Sequence, residues 1–273
     1  MPHPGLAPAA GSAPCVWLEG ALDPAGNMAR DAALLEAVAR GTLAGPVFRL
    51  YTFAPAGITL GRGQDAARDL HQEALERAGI PWAVRPTGGG AIWHEEAWTV
   101  AVAGRLGPGG WAASPKRALA RTGALLAAAL RSLGVPAACR SGSGRPRREP
   151  GAGPPPCFGA LAGDEVVVGE RKLAGIAQRV RGRAFLQQAN LLLGDAHARI
   201  ARHVETSEPA RARLEAELRA RAVGAGRWLG GETRIERLAG ALRAELGAGP
   251  IGEAEVSAGS PPAALAAPPR RSA

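Results

Sequence analysis

Apolar residues recur at helical spacing in several stretches of the chain. Met28, Leu34, Leu35 and Val38 line one side of a segment that Asn27 can cap and Gly41 can stop. Ser114-Pro115 opens another helix. The serine caps, the proline takes the first turn, and Leu119, Leu126, Leu130 and Leu133 share a face before Gly134. A helix is also expected over Leu70 to Ala78, ending at Gly79, and another over Pro209 to Arg221 with Leu214 and Leu218. Thr233-x-x-Glu236 reads as a capping box ahead of Ile235, Leu238, Leu242 and Leu246. Shorter apolar runs predict strands at Val47 to Phe53, Ile58 to Leu60, Trp82 to Arg85, Ala91 to Trp93 and Trp98 to Ala103, then at Glu165 to Val168, Lys172 to Ile176 and Phe185 to Leu193. Helices interspersed with short strands of antiparallel look give an α/β (α+β) fold, with the main domain over 15–200 and a short helical element over 201–248. Residues 1–14 and 249–273 read as disordered tails. Ser141 to Pro156, rich in Gly, Pro and Arg, reads as a long loop of the kind that is usually functional or disordered.

Composition changes the picture in two respects. The chain has 273 residues and a formal charge of +9, from 33 Lys plus Arg against 24 Asp plus Glu. Only Lys116 and Lys172 are lysines, so 33 − 2 leaves 31 arginines. A position tolerating any cation would tend to become arginine here, which makes a retained lysine informative. No run approaches the ~20 apolar residues needed to span a bilayer. The first residues lack a basic n-region and an apolar h-region, and a cytoplasmic protein is expected. Three cysteines, Cys15, Cys139 and Cys157, have no C-x-x-C spacing, so neither a disulfide framework nor a zinc knuckle is supported. Arginines cluster at Arg140, Arg145, Arg147 and Arg148 and at Arg179, Arg181 and Arg183. Without a recognition helix or interleaved aromatics, they suit an acidic protein partner better than nucleic acid.

Three places carry candidate chemistry. Arg85-Pro86-Thr87-Gly88-Gly89-Gly90-Ala91-Ile92-Trp93-His94 sets three glycines between two strands, where the main chain can approach a ligand and aim amides at an oxygen. A bare glycine triplet is equally a tight connection, and His94 by itself is equally a packed histidine. Lys172 offers a compact ammonium for a carbonyl or phosphate oxygen, against the plain reading of a solvated lysine at a strand end. Cys157 follows Arg-rich sequence, where positive charge favours the thiolate; Cys139 reads as a small buried hydrophobe.

In order, Gly61-Arg62-Gly63-Gln64, Arg85 through His94 and Lys172-Leu173-Ala174-Gly175-Ile176-Ala177-Gln178 resemble the lipoate–protein ligase and octanoyltransferase family, from about Asn27 to Leu193. The resemblance implies the biotin/lipoyl ligase-like fold, a mixed sheet flanked by helices. It implies substrate binding by Arg85, Thr87, Gly88, Gly89, Gly90, Ala91, His94, Gly175 and Ala177. Cys157-Phe158 resembles the segment of the transferase branch whose cysteine precedes the motif lysine. On that branch Cys157 is the nucleophile and Lys172 its electrostatic partner. An octanoyl (or lipoyl) group would pass from acyl carrier protein, through a cysteine thioester, to a lysine of a lipoyl-accepting protein, with no cofactor. The alternatives are an ATP-dependent ligase, which would use ATP and Mg, and a degenerate acyl-binding relative without activity. The chain departs from the family pattern at Val84, Glu95 and Ile176, and Gln188-Ala189-Asn190 stands in place of a His-Gly-Ser/Thr segment.

Overall fold

The computed structural model describes residues 13–140, Phe158 and residues 165–247. The expected loop over Ser141 to Pro156, Cys157, the 249–273 tail and residues 1–12 of the N-terminal tail lie outside them. Seven strands form one mixed sheet in the order β1 (Cys15–Leu18), β2 (Val47–Tyr51), β6 (Ala97–Arg105), β10 (Ala184–Leu192), β9 (Arg171–Arg181), β8 (Glu165–Val168) and β7 (Ala138–Arg140). The β1–β2 pair is parallel and the rest are antiparallel. A three-stranded sheet, β4 (Trp82–Val84), β3 (Gly57–Leu60) and β5 (Ile92–His94), carries the glycine loop between its last two strands in sequence.

Strand alternation sorts the large sheet into an apolar face and a working face. Phe48, Leu50, Val100, Val102, Phe185, Ala189 and Leu191 form one core with α4 (Pro115–Ser132) and α6 (Ile235–Leu246), through Leu125, Leu126, Leu130, Leu238 and Leu242. Each fully buried leucine there stabilises the fold by about 1.5–3 kcal/mol. On the other face Ala101, Ala103 and Leu186 pack under α1 (Pro24–Arg40), against Leu34, Leu35 and Val38. The same face buries Arg49, Tyr51, Thr99, Gln188 and Asn190. Most of the buried polar residues of the large sheet are thus gathered on this face.

Three sequence expectations need correction. Asp23, not Asn27, caps α1: its side chain accepts from the Gly26 amide at 2.7 Å, and Asn27 is wholly buried in the helix. The expected Leu70 to Ala78 helix is two short ones, α2 (Ala66–Asp69) and α3 (Gln72–Arg77). Leu70 is extended and bridges Val204, while the His71 amide donates to the His203 carbonyl, and this interrupts the helical ladder. Thr233-x-x-Glu236 makes no capping box. Helix α6 starts at Ile235 with no side-chain cap, and the Thr233 carbonyl accepts the Trp98 indole N–H at 2.8 Å instead.

A β-bulge in β9 decides which side chains reach the working face. Val166 pairs with Ala174 but Val167 pairs with Lys172, so Leu173 is an extra residue. Leu173 and Ala174 consequently both join Val166 in the apolar core. Beyond that irregularity Lys172 falls on the same face as Gly175 and Ala177. A regular strand, with its period of two, would have set Lys172 opposite Gly175.

Candidate active site

Across the working face the strands align polar residues in two rows. Gly175, Asn190, Thr99 and Tyr51 are successive cross-strand partners, as are Ala177, Gln188, Ala101 and Arg49. The first row lies beneath His94. The His94 Nε2 is 2.7 Å from the Thr59 hydroxyl, its Nδ1 is 3.1 Å from Asn190 Oδ1, and the Phe53 ring stacks on the imidazole at 3.8 Å. Burial, aided by the nearby Arg85 charge, lowers the His94 pKa to about 3, so the ring is neutral at physiological pH. A cavity of about 20 Å³ lies here, lined by His94, Thr59, Thr99, Asn190, Gly175 and Arg85 among others.

The second row anchors the glycine loop. Thr87 donates to Gln188 Oε1 at 2.6 Å, and Gln188 Nε2 donates to Asp31 Oδ2 at 2.6 Å. Asp31 also accepts from the Tyr51 hydroxyl at 2.7 Å and from Arg49 Nη1 at 2.6 Å. Arg49 further binds Glu19 and donates to Asn27 Oδ1 at 2.7 Å. Burial and the Asp31 carboxylate together push the Tyr51 phenol well above its ordinary pKa, which keeps it a donor. Because an ionised carboxylate only accepts, Asp31 fixes the Gln188 amide with its oxygen toward Thr87. One buried chain of hydrogen bonds therefore runs from Glu19 to the loop.

Arg85 holds the loop from within. Its guanidinium donates to the carbonyls of Gly88 (2.7 Å), Gly90 (2.8 Å) and Thr59 (3.1 Å). The loop also rides directly on the backbone near Gly61, where a Cβ would stand 2.0 Å from the Gly89 carbonyl oxygen; glycine is required. Gly89 itself adopts a φ of +99°.

Lys172 is not a solvated strand-end lysine. It is 2% exposed, and its ammonium pairs with Glu165, itself 3% exposed. Its Nζ lies 5.2 Å from the centroid of the buried Phe158 ring, which also meets His197 at 5.4 Å. Of the residues singled out in the sequence, Arg85, His94, Gly175 and Ala177 line this cavity, and Thr87, Gly88 and Gly90 are tied to it by hydrogen bonds. Ala91 packs in the adjoining apolar cluster that also contains Phe158. Lys172 sits on the same sheet face but is not among the cavity's lining residues, and Cys157 lies outside the described residues. Sequence reasoning missed Asp31, Arg49, Thr59 and Glu165. Only the sequence departure at 188–190 signalled Gln188 and Asn190.

The family model for the lipoyl protein ligase A/B catalytic domain matches residues 23–246. Relatives include Octanoyltransferase LipM of Symbiobacterium thermophilum, 35% identical over 170 residues (61% of this chain, 60% of that one). LipM of Moorella thermoacetica is 34% identical over 176 residues, covering 64% and 63%. The chain thus spans 60–63% of the length of these relatives. Among solved structures, a lipoate-protein ligase A bound with ATP superposes with a TM-score of 0.61 at 20% identity, covering 90% of this chain and 92% of that one. A bi-partite lipoate protein ligase from Thermoplasma acidophilum gives 0.64 at 21%, covering 89% of each. Both share the fold.

Proposed function

The chain belongs to the lipoyl protein ligase A/B catalytic-domain family, and on that premise we propose that it transfers an octanoyl (or lipoyl) group from acyl carrier protein to a lysine of a lipoyl-accepting protein. Cys157 is the nucleophile. Its thiolate attacks the carbonyl carbon of the carrier thioester, and the carrier's thiolate leaves and takes up a proton. One thioester replaces another, so the step is nearly neutral in free energy and needs no nucleotide. The free amine of the target lysine then attacks the acyl-enzyme. A more stable amide forms, the amine loses its proton, and the cysteine thiol is restored. Lys172 and the Gly88–Gly90 amides stabilise the oxyanion in both steps, since Arg85 engages the carbonyl side of the loop.

The observation that carries this reading is Phe158. It is the covalent neighbour of Cys157, it is buried, and its ring stands 5.2 Å from the Lys172 ammonium. Similarity to octanoyltransferases of the LipM type supports the transferase chemistry over the ligase chemistry. The test is to incubate the full chain with octanoyl acyl carrier protein, without ATP, and measure intact mass. An octanoyl adduct is expected on the wild type and not on Cys157→Ser. A folded wild type that acquires no adduct overturns the proposal, and product formed only from octanoate with ATP and magnesium replaces it with a ligase.

A further inference from the structure

The cations of the chain are not spread evenly over the fold. One end of the large sheet is formed where β6 stops, β9 turns into β10 and α1 leads into β2. There Arg105, Ala184 and Arg181 are successive cross-strand partners, and Val47 pairs with Ala103. The segments that meet at this end, 37–47, 104–121 and 177–185, contain eight Lys or Arg and no Asp or Glu. Arg40 comes from the first, and Arg179, Arg181 and Arg183 from the third. The second brings Arg105 and, in the first turns of α4, Lys116, Arg117 and Arg121. Among the described residues Glu36 is the one carboxylate paired with any of them, and it serves both Arg40, at 2.8 Å, and Arg181. Eight less one leaves +7 here, against +9 for the whole chain.

Neutral groups hold several of these side chains in place without discharging them. Arg183 donates to the carbonyls of Leu106 (3.0 Å) and Pro108 (3.4 Å), which ties the turn between β9 and β10 to the segment after β6. Arg121 donates to the Trp111 carbonyl and lies 3.8 Å from the centroid of that ring, and the Trp111 amide donates to the Arg105 carbonyl at 2.7 Å. Lys116 and Arg117 stand in the first turn of α4, which has no acidic residue. Cations at that end oppose the helix dipole, an arrangement that costs stability until an anion meets it.

We propose that this end of the sheet binds the phosphate backbone of double-stranded nucleic acid, without reading its sequence. Arginine forks and the start of a helix are the groups that contact phosphates. A protein partner would centre on apolar anchors, and a membrane would need an apolar face to enter. Here Trp111 is 3% exposed, and Val180 is the one exposed large hydrophobic side chain of these segments. Single strands are held by stacking on exposed aromatic rings, and both aromatic residues of these segments, Trp111 and Phe185, are buried. In sequence, Arg179, Arg181 and Arg183 suited an acidic protein for want of a recognition helix. Contact with the backbone alone needs no such helix, and only the fold adds Arg105 and the start of α4 to the cluster. Lys172 lies toward the opposite end of β9, so this binding is separate from acyl transfer.

Anisotropy of a short fluorescein-labelled DNA duplex of mixed sequence, titrated with the full chain between about 50 and 200 mM salt, tests it. Dissociation constants on the order of 1–100 µM near physiological salt are expected, and four or more contacted phosphates give a log–log salt slope of about −3.6 or steeper. Arg179→Gln with Arg181→Gln, and Lys116→Gln with Arg117→Gln, should each weaken binding about tenfold or more at the lower salt and make the slope shallower by about 1.8. Arg68→Gln with Arg77→Gln removes the same charge from exposed sites elsewhere and should change affinity by less than about twofold. No duplex binding at about 50 mM salt overturns the proposal, whether or not phosphatidylglycerol vesicles or polyglutamate bind instead. Duplex binding that either folded pair at this end leaves unchanged also overturns it. So does equal weakening by the Arg68 and Arg77 pair, which would reduce the effect to the net charge of the chain.

Discussion

Removing the Asp31 carboxylate should be among the most damaging single changes in this fold. Asp31 accepts three hydrogen bonds at 2.6–2.7 Å, from Arg49, Tyr51 and Gln188, in a site with no solvent access. In Asp31→Ala the buried Arg49 guanidinium loses one of its two carboxylates, and Glu19 remains. Breaking a buried ion pair from one side costs about 3–5 kcal/mol, and the surviving Glu19 sets the lower end, about 3. The Tyr51 donor is then unmet and Gln188 Nε2 keeps only the Met28 sulfur at 3.3 Å, a loss of about 1 kcal/mol each. The sum, about 5 kcal/mol, compares with a total stability of about 5–15 kcal/mol for a typical domain. At roughly 2–4 °C per kcal/mol for a domain of this size, Tm should fall by about 10–20 °C. Asp31→Asn keeps the volume but turns an amide N–H₂ toward donors, and should fall between. Thermal and urea unfolding followed by circular dichroism would read both. A loss below about 1.5 kcal/mol in Asp31→Ala would show that the chain from Glu19 to Thr87 is not coupled as described.

Three further changes probe the rest of the site. Lys172→Met takes the ammonium away from the buried Glu165 carboxylate and should destabilise by about 3 kcal/mol. Adding Glu165→Gln should recover most of that loss in urea titrations while octanoyl transfer stays abolished, and recovered transfer would exclude an electrostatic role for the lysine. The His94 pKa is lowered from 6.5 to about 3, so the unfolded chain takes up this proton first. Its contribution is full above pH 6.5 and declines as pH falls through that value toward 3, by about 1.4 kcal/mol per pH unit. His94→Gln should flatten the stability–pH curve between pH 6.5 and 4, and an unchanged slope would show that His94 is not buried neutral. Gly61→Ala drives a methyl against the Gly89 carbonyl and should shift the whole loop. Binding of octanoic acid should weaken at least tenfold in calorimetry, and wild-type affinity would mean that the loop takes no part.

Much of this was legible in the sequence where the signal was local. The Ser114 cap and the leucine stripe behind it give α4 as read, with the Ser114 hydroxyl accepting from the Arg117 amide at 3.3 Å. The glycine loop, Arg85 and His94 stood out by residue type, and the scarcity of lysine drew attention to Lys172. What stayed hidden depends on partners distant in sequence. Asn27 looks like a cap until Arg49, 22 residues on, claims its oxygen. Asp31, an ordinary helix acid by spacing, is the hub of a network reaching Gln188, 157 residues away. Glu165 looks like the polar start of an apolar strand, and only the fold sets it against Lys172. Period-two reading of Lys172 to Ile176 puts the lysine with Ala174, facing the core, because an inserted residue leaves no mark in the alternation itself.

That inserted residue makes the lysine's place in the site a matter of arithmetic more than of chemistry. Leu173 could become another apolar residue and Lys172 would still lie on the working face, because the count of residues between Lys172 and Gly175 is unchanged. Deleting a single residue there, with every functional side chain intact, would turn the ammonium toward α4 and close the bulge. A variant of this fold can thus keep each recognisable residue and still lose the site by one step of register, a kind of damage that inspection of motif residues alone would pass over.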